Sequence, residues 1–305
     1  MNAQIELFLQ QLLNGLTIGM IYALIALGYT MVYGVIQLIN FAHGEVFMVG
    51  AYLALTALGA FTAAFAGAPL FLILIIVFAA SMGGAALLGA TIEKVAYKPL
   101  RGTPKLTALI TSIGVSFFLQ NAVMLIYGSK EQNFPEIIPK WRYAMGPLSV
   151  SLIQVMIFAV SLAMMFFLSW FIQSTSLGRA MRASAENPEA AKLMGVSVDR
   201  VIRVTFMLGS ALAAVAGTLF GLYYGSVNFH EGYLLGLKAF TAAVFGGIGS
   251  VPGAMLGGVL LGVFEGLGAG YISSEWKDVF AFLILGAVLI CRPSGMLGEN
   301  LPEKV

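Results

Sequence analysis

Apolar residues run through this chain in blocks that charge hardly interrupts. Between successive charged residues lie uncharged runs at 7–44, 46–92, 106–129, 143–178, 204–230 and 239–264, the shortest of 24 residues and the longest of 47. Crossing a bilayer takes roughly 20 apolar residues, so every run holds at least one span. Stretches such as Phe71-Leu-Ile-Leu-Ile-Ile-Val-Phe78 lack the alternation of a membrane β-barrel. The pattern predicts an all-α fold, a polytopic transmembrane helical bundle with interrupted helices.

Charge, proline and polar residues gather at 59–69, 93–105, 128–148, 173–203, 226–238, 271–278 and 291–305. Short loops rich in Lys and Arg stay on the cytoplasmic side. Lys94, Lys98, Arg101 and Lys105, then Arg179, Arg182, Lys192, Arg200 and Arg203, then Arg292 and Lys304 make 11 of the 16 positive residues. Their three regions are therefore expected inside, and 128–148 and 271–278, anchored by Trp141 and Trp276, outside. Segments 69–92, 149–172 and 278–291 then run inward, and 106–128 and 204–225 outward. Residues 235–270 divide at Gly246-Gly-Ile-Gly-Ser-Val-Pro-Gly253 into a short descending piece and an ascending helix. Residues 7–60 are read as an ascending helix, a short descending one and a second ascending one, broken near Asn40-Phe-Ala-His-Gly-Glu45. The result is ten segments, or eight if the N-terminal spans are conventional, with both termini inside. It is a single transmembrane domain, 1–305, with a cytoplasmic loop at 173–203. A cysteine at Lys140 is expected to be labelled from outside, and one at Arg182 not.

Composition narrows the class. Charged residues are 10% of the chain, hydrophobic ones 59%, and mean hydropathy is +0.93, whereas a soluble domain carries about 25% charge. With a net charge of +2 and no basic block, nothing points to nucleic acid. The single cysteine, Cys291, allows neither an internal disulfide nor a thiolate metal cluster, and no metal site is expected. The first 93 residues contain no Lys or Arg, so a signal-peptide n-region is not expected. Thirty-six glycines, many inside apolar runs, suit close helix packing in lipid. Only two histidines are present, with no His-Glu-x-x-His and no paired intramembrane Asp, so intramembrane catalysis is not expected and no catalytic residue is assigned.

Four features carry candidate chemistry. Asn187-Pro-Glu-Ala-Ala-Lys-Leu-Met-Gly195 has an N-cap Asn, Pro in the first turn, an acidic residue after it and a terminal Gly, which specifies a two-turn helix in a water-facing loop. So short a helix is unstable alone, so it docks onto something or lies on the membrane surface. Asn40, His43 and Glu45 form a polar cluster between apolar runs: a structural turn, with His43 and Glu45 paired, or a border of a path for a passing solute. Gly246, Gly247, Gly249 and Pro252 form a second break; an interrupted apolar segment in each half points to a central pathway, and the weaker reading is a hinge or packing only, without substrate contact. Ser112, Ser116 and Gln120 share a helix face at i, i+4, i+8 and line a wet path or bond between helices. Glu265 is placed near the outer end of its helix, in contact with water, and given no role.

Glu189-Ala-Ala191 followed by Gly195 resembles the coupling loop of ABC importer permeases, although the Ile and the Leu-Pro of the wider pattern are missing, Ile202 lying out of register. Asn14-Gly-Leu-Thr-Ile-Gly-Met-Ile-Tyr-Ala-Leu-Ile-Ala-Leu-Gly28, Ile39-Asn-Phe-Ala-His-Gly-Glu45, Gly178-Arg-Ala-Met-Arg-Ala183 and Ala242-Ala-Val-Phe-Gly-Gly-Ile-Gly-Ser-Val-Pro-Gly-Ala254 resemble the high-affinity branched-chain amino acid ABC permeases, particularly the H-type subunit. This resemblance spans nearly the whole chain. It implies a bacterial inner-membrane importer with a second, related permease subunit, two ATPase subunits and a periplasmic binding protein. ATP and Mg would sit on the ATPases and no cofactor on this chain. Asn187, Glu189, Ala190, Ala191 and Gly195 would couple to an ATPase. An ion-coupled secondary amino acid carrier is the alternative, and it has no use for a docking helix.

Overall fold

A computed structural model describes residues 3–65, 67–139, 141–146, 148–292 and 294–298. Lys140 and Lys304 lie outside the described residues. A proline-free stretch, polar in its first turns and apolar beyond Asn14, forms α1 (Ala3–Ile36), whose 34 residues extend about 51 Å at 1.5 Å per residue, well beyond a hydrocarbon core of about 30 Å. Gln37 then takes a left-handed backbone, φ 52°, and the Asn40 side chain accepts from the Ala42 amide at 3.1 Å. These two features turn the chain back into α2 (His43–Ala64). After Pro69 comes α3 (Leu70–Ile92), which continues through a π-turn (Glu93–Tyr97) and a 3-10 turn (Lys98–Leu100). Next is α4 (Lys105–Tyr127), ended by Gly128 at φ 89°.

Short strands follow at the end of the bundle where α4 emerges: β1 (Gln132–Asn133), then the hairpin β2 (Arg142–Met145) and β3 (Leu148–Ser151). The capping box of Ser151 and Gln154 starts α5 (Leu152–Ser174). At the far end lie α6 (Ser176–Glu186) and α7 (Pro188–Leu193). The chain returns through α8 (Val198–Tyr224) to β4 (Ser226–Val227), which pairs with β1. It finishes with α9 (Glu231–Gly246), α10 (Val251–Tyr271) and α11 (Lys277–Cys291).

Among the described residues, seven helices are long and apolar enough to span a membrane: α1, α2, α3 with its extension, α4, α5, α8 and α10. The 16-residue α9 and 15-residue α11 pack with them. α1 and α8 are buried along most of their length, while α3, α4 and α5 expose apolar side chains around the outside.

Two halves of opposite direction build this core. Each has a long helix (α1 or α8), a reversal, a shorter helix that begins partway along the bundle (α2 or α9), and a third helix packed antiparallel on the other half's long helix. Gly15 faces Gly262, Gly19 faces Val259 and Gly258 faces Ala23 where α10 runs along α1. Gly89 faces Phe206 and Ser210 where α3 runs along α8, and Thr218 reaches Ser81 at 3.3 Å. This is the inverted repeat common in transporters.

Two expectations are corrected. Residues 7–60 fold as two helices, not three, because the reversal at 37–42 is a non-helical strap rather than a short descending helix. The two ends of the described chain also lie at opposite ends of the bundle. Gln10 accepts from the Ser149 amide at 3.0 Å, beside the hairpin, whereas the Met296 amide donates to the Phe245 carbonyl at 2.9 Å at the α9–α10 turn. That turn is close to Gly34 at the foot of α1, so a topology with both ends on one side does not hold.

Candidate functional site

The strap and the starts of α2 and α9 meet at the centre of the molecule. Asn40 is buried and accepts from the Tyr97 hydroxyl at 2.9 Å as well as from Ala42. His43 and Glu45, 1% and 0% exposed, are engaged separately. The His43 ring lies edge-on to Tyr29, centroids 4.7 Å apart, beneath Gly28, where a β-carbon would meet Nε2 at 2.2 Å. Glu45 accepts from the Ser116 hydroxyl at 3.1 Å through Oε1, and its place in the first turn of α2 suits a carboxylate. Its Oε2 rests against Gly232 in the first turn of α9, where any β-carbon would come within 2.3 Å. Gly44 in turn abuts Gly232 and Gly236. Two helix N-termini thus converge on one buried carboxylate.

Ser112, Ser116 and Gln120 do share a face of α4, and that face looks toward this junction. Ser112 bonds back to the Leu109 carbonyl at 2.7 Å, Ser116 reaches Glu45, and Gln120 Nε2 lies 2.7 Å from His230 Nδ1. His230 was missed in sequence because the break at 226–238 read as a connection, and nothing along the chain shows that it folds back onto Gln120, 110 residues away. Between α1, α4 and α9 a cavity of about 280 Å³ opens beside Ser116. A larger one, about 1020 Å³, opens at the hairpin end between α1, α5 and α8, with Gln10, Asn14, Arg142, Gln154 and Tyr223 among its walls.

At the other end α7 has the predicted caps. Asn187 Oδ1 accepts from the amides of Glu189 at 3.1 Å and Ala190 at 3.0 Å. Gly195 adopts φ 83°, and the Val196 amide returns to the Ala191 carbonyl at 3.0 Å, a Schellman closure. Two details depart from the sequence reading. Ala191 is buried against its own fold, and Glu189 is already paired with Lys192 at 2.8 Å. The exposed apolar groups are instead Leu193 and Met194, 89% and 84% accessible. Arg182 and Arg179 donate to the Ile172 and Ser174 carbonyls at the end of α5, which anchors α6. Beside them, Arg101 binds both Glu93 and Asp199, Lys98 reaches Asp199 at 3.2 Å, and Arg203 lies 3.5 Å from the fully buried Glu93. This network ties the foot of α3 to the start of α8.

A second buried polar cluster was not foreseen. Lys238, 2% exposed, places Nζ 2.8 Å from Glu265 and 2.5 Å from Asp278, and the Tyr22 hydroxyl donates to Glu265 at 2.8 Å. Four helices, α1, α9, α10 and α11, are joined there. Glu265 is therefore not a water-facing residue at a helix end: it is 4% exposed and paired. Its only sequence signal is an isolated acid inside an apolar run.

Gly246, Gly247, Gly249 and Pro252 form the turn from α9 to α10. Gly247 and Gly249 take φ 109° and 96°, the Ser250 side chain accepts from the Gly253 amide at 3.2 Å, and Pro252 sits in the first turn of α10. The Leu297 amide donates to the Gly246 carbonyl at 2.9 Å and clamps the turn from outside.

Comparison with known proteins places this geometry among relatives. The model of a family described as branched-chain amino acid transport system, permease component, matches residues 11–289. The high-affinity branched-chain amino acid transport system permease protein BraD of Pseudomonas aeruginosa is 50% identical over 302 residues, 98% of each chain. The corresponding permease protein LivH of Escherichia coli is 45% identical over 310 residues, 100% of each chain. The autoinducer 2 import system permease protein LsrC of Photorhabdus luminescens is 28% identical over 194 residues, 61% of this chain and 57% of its own.

Proposed function

The chain belongs to the family of branched-chain amino acid transport permeases, and on that premise we propose that it is one membrane subunit of an ABC importer carrying leucine, isoleucine and valine into the cytoplasm. The other parts are a second, related permease subunit, two ATPase subunits that bind ATP and Mg, and a periplasmic binding protein. This chain holds no cofactor. The membrane is the bacterial inner membrane, with α6 and α7 on the cytoplasmic side in accord with the Lys and Arg of 173–203.

The observation that carries this reading is α7. A six-residue helix with both ends capped, presenting Leu193 and Met194 to solvent, is rigid and apolar at its tip, as a part that fits a groove on another protein must be. Asn187 and Gly195 set its ends, Glu189 and Ala190 lie on its open side, and Ala191 seats it. Closure of the ATPases would push α7, and through α6 and the Glu93–Arg101–Asp199 network that push reaches α3, α5 and α8.

The translocation path borders the central junction, with Asn40, His43, Glu45, Ser112, Ser116 and Gln120 along it, and the Gly246, Gly247, Gly249 and Pro252 turn acts as the pivot of α9. Two convergent helix N-termini beside a water-accessible polar face are what a zwitterionic amino acid requires. The test is co-purification with the candidate partners, followed by ATP hydrolysis in lipid with and without leucine and binding protein. Stimulation by leucine supports the reading. Leucine uptake by this chain without any ATPase, driven by an ion gradient, would replace it with a secondary carrier.

A further inference from the structure

The cavity between α1, α4 and α9 has a chemical character of its own. Phe41, Ile113, Phe117 and Leu237 give it apolar walls, while Tyr29 and Ser116 add hydroxyls at its inner side. Its volume of about 280 Å³ is at the lower limit for a small-ligand site. Behind Ser116 sits the Glu45 carboxylate, fully buried, with Oε2 unpaired. Gly236, at its floor, lies against Gly44. The apolar and the polar walls therefore meet where α2 and α9 begin.

Such a cavity in the membrane could hold a lipid chain, and the neighbouring residues argue against it. One turn along α4 from Ser116, Gln120 pairs with the exposed His230, within a helix that is long enough to span. Polar side chains at membrane depth face protein or a water-filled cavity because hydrocarbon offers them no hydrogen bonds. The row Ser116, Gln120 and His230 thus lays a polar strip along α4 beside the recess, and Ser116 is the member of that strip that also lines it.

We propose that this recess is the subsite that receives the aliphatic side chain of the amino acid during passage. Ile113, Phe117 and Leu237 contact the side chain, and the ammonium group lies toward Ser116 and Glu45. This assignment rests on the permease reading above and names the part of the chain that distinguishes a branched aliphatic substrate from a polar one. None of the three apolar residues stands out in the sequence, since each lies in a run of similar residues.

The test uses the whole transporter, with Cys291, the only cysteine, replaced by Ser. Single cysteines are placed by Ile113→Cys and Leu237→Cys in the recess, and by Leu125→Cys on the exposed face of α4 as a control. Each is treated with a water-borne thiol reagent during turnover with binding protein, in the presence of leucine or of arginine. The expected result is labelling of both recess cysteines that leucine slows severalfold and arginine does not, with Leu125→Cys indifferent to either. Labelling that leucine leaves unchanged overturns the subsite. Reaction only with a lipid-soluble reagent also overturns it, in favour of a lipid-filled groove. If the Cys291→Ser parent shows no leucine uptake with its ATPases present, the permease reading itself fails, which is a separate outcome from either of these.

Discussion

Lys238 and Glu265 form an ion pair of 2.8 Å with almost no solvent access, 2% and 5% at the side chains, between a helix too short to span and one that spans. The pair holds α9 at its depth. Removing one partner of a buried ion pair costs about 3–5 kcal/mol, whereas replacing both by apolar or neutral groups is often nearly neutral. Lys238→Met should therefore sharply lower the thermal stability of the purified chain, and Lys238→Met with Glu265→Gln should recover most of it. Equal loss in the single and double variants, measured by a thermal aggregation assay in detergent, would mean that the charges are not coupled.

Glycines divide into two groups by what surrounds them. A β-carbon on Gly258 would lie 2.4 Å from the backbone of Ala23, whereas one on Gly83 meets nothing within 4 Å. Gly258→Ala should wedge α10 from α1 and cost about 1–3 kcal/mol. Gly83→Ala should be neutral or stabilising by up to about 1 kcal/mol, since alanine is the better helix former. Folded yield from the membrane checks both.

The α7 helix makes separable predictions. Leu193→Ser with Met194→Ser should leave the chain folded and abolish co-purification of the ATPases, because only the exposed tip changes. Gly195→Val should impair both folding of the loop and association, since its φ of 83° is strained for a β-branched residue by roughly 1–3 kcal/mol. Ala191→Trp should act through the fold of the loop, visible as protease sensitivity at 186–197, because its side chain points inward. Retained ATPase binding in the Leu193 and Met194 variant would show that the dock lies elsewhere.

Orientation can be read from two positions. Ser149→Cys, next to Gln10, should react with an impermeant thiol reagent from outside intact cells, and Arg182→Cys only after the membrane is opened. A reporter fused before α1 should report the same side as Ser149. Labelling of both cysteines from one side would contradict the arrangement.

Much of this architecture was legible along the chain, and its failures have physical causes. Spans follow from uncharged length, and α7 from Asn187, Pro188 and Gly195, because caps are local chemistry. The break at Gly246–Gly253 was visible for the same reason. Gln37 and the Asn40 side-chain bond, which turn α1 into α2 without a descending helix, depend on a backbone state that a Gln-Leu-Ile-Asn sequence does not announce. Lys238 lies just before an apolar run and reads as a border residue. Its burial is a consequence of Glu265 and Asp278, which reach it through space. Likewise Ala191 and Leu193 both look apolar, and only the way α7 seats on α6 and α8 separates the buried one from the exposed one.

The position of Lys238 also gives the order of synthesis a physical meaning. At about 24 Å, α9 is shorter than the hydrocarbon core, and its lysine, which meets only the neutral Tyr22 hydroxyl of α1 at 3.4 Å, has no carboxylate partner until Glu265 and then Asp278 have been made. The turn after it is clamped only when Met296 and Leu297 arrive. As the nascent chain leaves the ribosome, α9 must therefore wait, sheltered from lipid by the insertion machinery or by α1, until the last helices are in place. A ribosome stalled between residues 246 and 265 would hold a chain whose first half is assembled and whose ninth helix is still unable to enter the bilayer.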